Sequence, residues 1–479
     1  MNPASAPTPP DPMTLSTKLA YGAGDLGPAI TANVLAFFLL FFFTSVAGLN
    51  AGLAGSILLI GKVWDAINDP IIGMLSDRTH SAKWGRRYPW MLWGAIPFGL
   101  TYFLQWIVPN FGGNASSNQW GLFWYYVIVG ILFNSFYTMV NLPYTALTPE
   151  LTQDYNERTS LNSFRFAFSI GGSIFSLILA QVIFQTVADP QQQYLWLGAI
   201  CALLSTIPLY WCVFGTRARS RRMAQSIAPI ESSESLPYKE QLRIAFSNRP
   251  FLYVIGIYLC SWLGVQITAA ILPYFVVNWL GLSSGTFTLV ALAVQGTALL
   301  MLFVWSAVSA RLGKKAVYAM GMVLWIIAQA GLFFLRPDQS ALMYPLAVMA
   351  GVGVSTAYLI PWSMIPDVIE LDELNTGQRR EGVFYGFMVL LQKIGLAIGL
   401  FVIGQTLNLA GFVESSASQP NPVQPESAML AIRLAIGPLP TVALIVGLIL
   451  AYFYPITREV HAEILLKLSE RKRQAQAEG

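Results

Sequence analysis

The stretch Gly61-Lys62-Val63-Trp64-Asp65-Ala66-Ile67-Asn68-Asp69-Pro70 holds the residues best suited to chemistry in this chain. Asp65 and Asp69 are four residues apart, so on a helix both carboxylates leave the same face. Two close carboxylates in apolar surroundings either gather oxygen ligands around a cation such as Na+ or serve as a proton-accepting pair, because like charges so near one another resist joint ionisation. Pro70 removes one backbone N–H and leaves a carbonyl oxygen a turn earlier without its usual partner. Lys62 stands three residues before Asp65, and a plain Lys62–Asp65 ion pair is the competing, purely structural reading.

Other ionisable groups fall inside apolar runs: Asp25, Arg165, Lys393 and, nearer the outer surface, Arg433. A charge in hydrocarbon costs roughly 3 kcal/mol or more, so such groups either neutralise one another or line a hydrated cavity. In a cavity they offer a polar substrate one acid and two bases. Trp64, Tyr137, Tyr144, Tyr358 and Trp362 add flat faces on which a sugar ring can stack.

The inventory of chemistry excludes several classes. With only His80 and His461, neither a Ser-His-Asp triad nor a histidine metal site is expected within the apolar segments. Cys201, Cys212 and Cys260 lie in apolar runs without ligand spacing. No phosphate-binding loop of the Gly-x-x-x-x-Gly-Lys-Ser/Thr kind is present, which argues against an ATP-driven pump. The chain is not expected to be an enzyme, to bind nucleic acid or to hold a cofactor beyond a coupling ion, Na+ or H+.

The elements that must position these residues are helices in lipid. Of 479 residues 55% are hydrophobic and 11% charged, with a mean hydropathy of +0.56, far from the balance of a soluble domain. Apolar stretches near 18–45, 52–76, 89–109, 119–147, 160–187, 193–214, 250–278, 284–310, 315–335, 341–366, 382–411 and 428–455 give twelve transmembrane helices in an all-α integral membrane protein. Lys and Arg concentrate in alternate loops (Arg78, Lys83, Arg86, Arg87; Arg158; Arg311, Lys314, Lys315; Arg379, Arg380), in the segment 215–249 and in the tail, which places both termini in the cytoplasm. The organisation is then a flexible cytoplasmic tail 1–15, a six-helix half 16–214, a cytoplasmic linker 215–249, a second half 250–456 and a cytoplasmic tail 457–479. Gly73 to Arg87 after the second span and Ser309 to Lys315 after the eighth form matching basic turns. Two such halves indicate a carrier of the major facilitator fold.

These residues resemble the glycoside–pentoside–hexuronide:cation symporter family, which includes the bacterial melibiose carriers, from Lys18 to about Arg458. The similarity rests on Trp64 to Pro70, Lys18 to Gly22, Thr138 to Pro143, Phe164 to Phe166, Asp367 to Glu370 and Lys393. The resemblance implies a cation site at Asp65, Asp69 and Thr138, with Asn141 where melibiose carriers share an acid between sugar and cation. It implies that Arg165 and Lys393 serve the sugar cavity and its coupling. The helix 1 acid that grips galactosides falls at Ala29, with Asp25 a turn earlier. The aromatic of span 4 falls at Thr145, and the span 10 tryptophan at Tyr358. The segments Gly85 to Pro109 and Ile360 to Asp367 are also similar to the animal sodium-dependent lysophosphatidylcholine carriers, which brings in a lysolipid as the second substrate class.

The expectation is a secondary carrier in the cell (inner) membrane, among membrane lipids, that moves a sugar or glycoside together with Na+ or H+ by alternating access. Asp65, Asp69, Thr138 and Asn141 would bind the cation. Asp25, Asn141, Arg165, Tyr358 and Lys393 would contact substrate. Asp77, Arg86, Arg87, Asp367, Glu370, Arg379 and Arg380 would form the ion pairs of a cytoplasmic gate.

Overall fold

The computed structural model describes residues 13–478 apart from 80, 82, 113–114, 153–154, 227–237, 378–379 and 415–421. All regular structure among the described residues is helical. The first half consists of α1 (Leu15–Ser45), α2 (Ala51–Arg78), α3 (Tyr88–Leu104), α4 (Ala115–Thr145), α5 (Tyr155–Thr186) and α6 (Pro190–Ser226). The second consists of α7 (Arg249–Trp279), α8 (Ser284–Leu312), α9 (Lys314–Phe334), α10 (Met343–Thr376), α11 (Glu381–Leu409) and α12 (Glu426–Phe453). A final helix, α13 (Arg458–Glu478), follows.

These helices coincide with the twelve expected segments, and ten are long and apolar enough to cross a membrane. The other two are α2, whose apolar run is diluted by Lys62, Asp65, Asn68 and Asp69, and α3, which has 17 residues. Boundaries at the basic end differ from expectation. α6 runs on to Ser226 instead of ending near 214, and α10 to Thr376 instead of 366. Apolar content marks where the membrane ends, whereas Ala, Arg, Met and Leu carry a helix on into water. For the same reason the tail contains α13 rather than irregular chain.

The two halves repeat one plan. In the first, α1 packs on α5 and α6, α4 on α2 and α3, and α3 on α6; in the second, α7 packs on α11 and α12, α10 on α8 and α9, and α9 on α12. The opening helix of each half carries a π turn, Leu35–Leu39 in α1 and Phe275–Trp279 in α7. The matching basic turns each need a glycine with positive φ, Gly85 (+74°) and Gly313 (+83°), a conformation that side chains with a Cβ resist. Between halves, α2 packs on α11 and α5 on α8, pairs that interchange when each helix is replaced by its counterpart in the other half.

Candidate functional site

α2 and α11 bring the central charges together. Lys393 Nζ on α11 lies 3.1 Å from Asp65 Oδ2 and also donates to Asp69 Oδ2. On the other side of the pair, Thr138 Oγ1 on α4 lies 3.1 Å from Asp65 Oδ1 and 2.8 Å from Asp69 Oδ1. Lys62 Nζ stands 3.7 Å from Asp65 Oδ2 and donates to Asn134 Oδ1 at 3.3 Å. Asp65 and Thr138 are 1% and 2% exposed, whereas the side chains of Asp69, Lys393 and Lys62 are 25%, 20% and 27% exposed, so the network is closed off at Asp65 and open to solvent at its edge. Two carboxylates are thus matched by two ammonium groups, one of which comes from the opposite half.

The sequence builds this locally. The four-residue spacing puts Asp65 and Asp69 on the face of α2 turned to α4, and Trp64 Nε1 ties the same stretch to Ser135 Oγ at 2.8 Å. Asn134, Thr138 and Asn141 recur at helical spacing and form a polar stripe in an otherwise apolar α4. α2 stays helical through Pro70, so the carbonyl of Ala66 has no N–H four residues on and is free beside the aspartates. Asn68 Nδ2 and Asn141 Oδ1 are buried without hydrogen-bond partners among the described residues. Such groups are costly to leave unpaired and mark where a polar ligand or water is wanted.

A second charged pair sits elsewhere in the first half. Asp25 occupies the break in α1 without capping the following helix, and its Oδ2 lies 3.3 Å from Arg165 Nε on α5. The guanidinium stands 5.7 Å from the ring centroid of Tyr144, which stacks on Tyr21. Tyr358 is in the other half, 5.9 Å from Trp262, in a run of rings that includes Tyr258, Trp362 and Tyr385. The structure therefore joins Asp65, Asp69, Thr138 and Lys393 in one cluster and Asp25 with Arg165 in another. Lys393, which is also expected to contact substrate, rests on the aspartates, because close packing of α11 on α2 carries it there.

At the neutral end of the bundle the halves are sealed together. Gly404 of α11 crosses α2 so closely that a Cβ there would come within 2.6 Å of the Ala51 carbonyl oxygen and 2.7 Å of Gly55 Cα. Asn50 Nδ2 donates to Asn408 Oδ1 at 2.7 Å, Thr44 Oγ1 meets the Tyr274 hydroxyl at 2.6 Å, and Gln295 Nε2 donates to Asn33 Oδ1 at 2.7 Å. At the basic end the expected gate residues pair within their own halves. Arg86 and Arg87 reach Glu150, Arg87 also donates to Ser76 Oγ, Lys314 holds Asp367 at 2.7 Å, and Arg380 forms a bidentate pair with Asp372. Glu370 Oε2 is 2.6 Å from His461 Nε2 of α13. The Asp77 side chain and Arg379 lie outside the described residues.

Several participants escaped the sequence reading. Asn134 joins the aspartate cluster through Lys62, and Glu150, Asp372, Lys314 and His461 complete the basic-end pairs. Asn134 was findable, since it stands four residues before Thr138 on one face. The partners of Asp367 and Glu370 were not, because Lys314 and His461 come from other helices.

Fold and site together define a helical membrane carrier of two repeated halves, with an acidic pair in one half ion-paired to an ammonium group of the other. The family described as MFS/sugar transport protein matches residues 20–458, and the chain belongs to it. It is 53% identical to the uncharacterized symporter sll1374 of Synechocystis sp., over 95% of this chain and 97% of the relative. It is 28% identical to the isoprimeverose transporter of Lactiplantibacillus pentosus, over 96% and 93%. It is 26% identical to the sodium-dependent lysophosphatidylcholine symporter 1-A of Danio rerio, over 93% and 87%.

Proposed function

We propose that this protein is a cation-coupled symporter that carries a sugar or glycoside by alternating access, with Asp65, Asp69 and Thr138 as the cation site. The observation that carries the reading is the ammonium of Lys393, which sits between two carboxylates where a monovalent cation would bind. Lys62 and Lys393 already balance Asp65 and Asp69, so an arriving Na+ or H+ makes one ammonium redundant. Lys393 is the one whose release matters, since it belongs to the opposite half and its departure frees α11 from α2. Cation binding at the aspartates is thereby tied to relative movement of the halves, which is what coupling requires.

The excess of Lys and Arg at one end supports a cytoplasmic position for that end and for both termini. The seam at Gly55–Gly404 and Asn50–Asn408 then closes the outer side, and the conformation is inward-facing. Asp25, Arg165, Asn141 and Tyr358 are assigned to the substrate. The name of the Lactiplantibacillus relative favours a sugar, and that of the zebrafish relative favours Na+ and makes a lysolipid the second reading. Asn68 Nδ2 and Asn141 Oδ1, buried atoms without hydrogen-bond partners among the described residues on the helices that carry the aspartates and Thr138, suit a ligand with hydroxyl groups.

Uptake into proteoliposomes tests the proposal, with glycosides, acidic sugars and lysophospholipids supplied with and without a Na+ or H+ gradient, for wild type and Asp65→Asn. Gradient-driven sugar uptake lost in the variant supports it. Uptake indifferent to both gradients and to Asp65 would sink the coupling mechanism, and uptake of lysolipid alone would move the substrate to the second reading.

A further inference from the structure

The basic end of the first half holds a cluster that the transport cycle does not use. Arg217 Nη2 on α6 donates to the backbone carbonyl of Lys83 at 2.8 Å, and Arg221, one turn further, donates to the same oxygen. The Arg217 guanidinium lies 3.8 Å from the ring centroid of Trp84, and Lys83 Nζ lies 5.9 Å from the same ring. Three cations thus converge on one carbonyl and one indole. Among the described residues no carboxylate forms a salt bridge with Lys83, Arg217 or Arg221, and Arg217 Nε is buried with no hydrogen-bond partner. Like charges gathered this closely repel one another unless an anion joins them.

What leads up to the cluster identifies the anion. Leu203, Ile207, Trp211 and Phe214 are all exposed and follow one another at helical spacing on α6, and Arg217 and Arg221 continue the same stripe. Along one helix face the surface therefore passes from aliphatic to aromatic to cationic. Phe214 also meets Trp84 edge to face, with ring centroids 6.2 Å apart, so the stripe and the cluster form one surface. That sequence of chemistries matches acyl chain, interface and phosphate in a phospholipid, whereas a free anion has no use for the apolar part.

We infer that Lys83, Trp84, Arg217 and Arg221 form a binding site for the phosphate of an anionic phospholipid whose acyl chain lies along Leu203 to Phe214 of α6. The arginine hydrogen bonds to the Lys83 carbonyl hold the loop between α2 and α3 against α6, and the lipid phosphate would neutralise the cations gathered there. It is independent of the proposed transport reaction.

Native mass spectrometry of the full chain in mild detergent, offered equal amounts of phosphatidylglycerol and phosphatidylcholine, tests this. Wild type is expected to retain phosphatidylglycerol preferentially. Retention should fall about fivefold for each arginine lost, hence roughly twenty-five-fold in Arg217→Gln/Arg221→Gln. The charge-preserving Arg217→Lys/Arg221→Lys variant should keep most of it, which separates charge from folding. If the glutamine variant does not fold, Lys83→Gln is read instead and should show about a fivefold loss. Equal retention of the two lipids, or retention unchanged in the neutral variants, would overturn the site. Displacement of the lipid by an excess of inorganic phosphate would show a bare anion site and equally overturn the lipid assignment.

Discussion

Lys393 on α11 and Asp69 on α2, separated by 324 residues of sequence, are joined across the interface of the two halves by a direct ion pair. The same ammonium reaches Asp65, so one side chain from the second half occupies the acidic pair of the first. This contact lies midway between the sealed neutral end and the basic end, where the gate residues keep to their own halves. It is the place at which a bound cation can be felt by both halves at once.

If Lys393 competes with the coupling ion, removing it must tighten cation binding while breaking the cycle. Lys393→Gln is expected to lower the Na+ concentration that gives half-maximal thermal protection by about tenfold, a difference of ~1.4 kcal/mol. Driven uptake should fall by at least a similar factor, since nothing then returns the empty carrier. A Na+ titration that does not shift in the purified variant would show that Lys393 and the cation do not share the site.

The seam at the neutral end depends on two glycines meeting backbone to backbone. Gly404→Leu places a side chain where even a Cβ would lie 2.6 Å from the Ala51 carbonyl oxygen. Overpacking of this kind costs about 1–3 kcal/mol, enough to shift a two-state balance by roughly five- to 150-fold. In an Asn50→Cys/Asn408→Cys background the disulfide should form readily, and adding Gly404→Leu should reduce its yield. Unchanged cross-linking would mean that the glycine contact does not hold the halves together.

Much of this was legible in the chain itself. The four-residue spacing of Asp65 and Asp69 and the polar stripe on α4 are local, so periodicity alone brings Thr138 to the carboxylates. The two halves are legible because lipid imposes long apolar runs and basic turns on each. Lys393 was visible as a costly charge but not as the partner of Asp69, because that pairing depends on how closely α11 crosses α2 at Gly55 and Gly404. The π turns of α1 and α7 left no signal either. At the neutral end Phe41 and Tyr274, just beyond and just before these turns, meet edge to face, a long-range contact that local periodicity does not encode.

Asp25 and Arg165 allow a cleaner separation of support from recognition. Removing one member of a buried pair typically costs about 3–5 kcal/mol, and less here because the Arg165 side chain is partly exposed. Asp25→Asn and Arg165→Gln should each lower thermal stability, and the double variant should recover part of that loss. Uptake should be lost in all three if the pair holds the substrate. Recovery of uptake along with stability in the double variant would reduce Asp25 and Arg165 to a structural tie.

The last helix offers a test at the basic end. His461 Nε2 lies 2.6 Å from Glu370 Oε2 and 3.3 Å from Asp367 Oδ1, while Lys314 holds the other side of Asp367 at 2.7 Å. Ile464 and Leu468 are buried against the second half, and Arg471 donates to the Leu374 carbonyl at 3.3 Å. α13 is therefore clamped to the end of α10 by one imidazole and two aliphatic side chains. A hydrogen bond to a charged group contributes about 1.5–3 kcal/mol, so His461→Ala should raise the population of undocked α13 roughly ten- to hundredfold. Trypsin should then cut at Lys467 correspondingly faster in the purified protein, and Leu468→Glu should do the same through a different contact. Uptake should survive Leu468→Glu, whose contact is separate from the gate residues Asp367 and Glu370 that His461 touches. Cleavage at the wild-type rate in both variants would mean that other contacts hold the helix, and loss of uptake with faster cleavage would make docking of α13 part of the transport cycle.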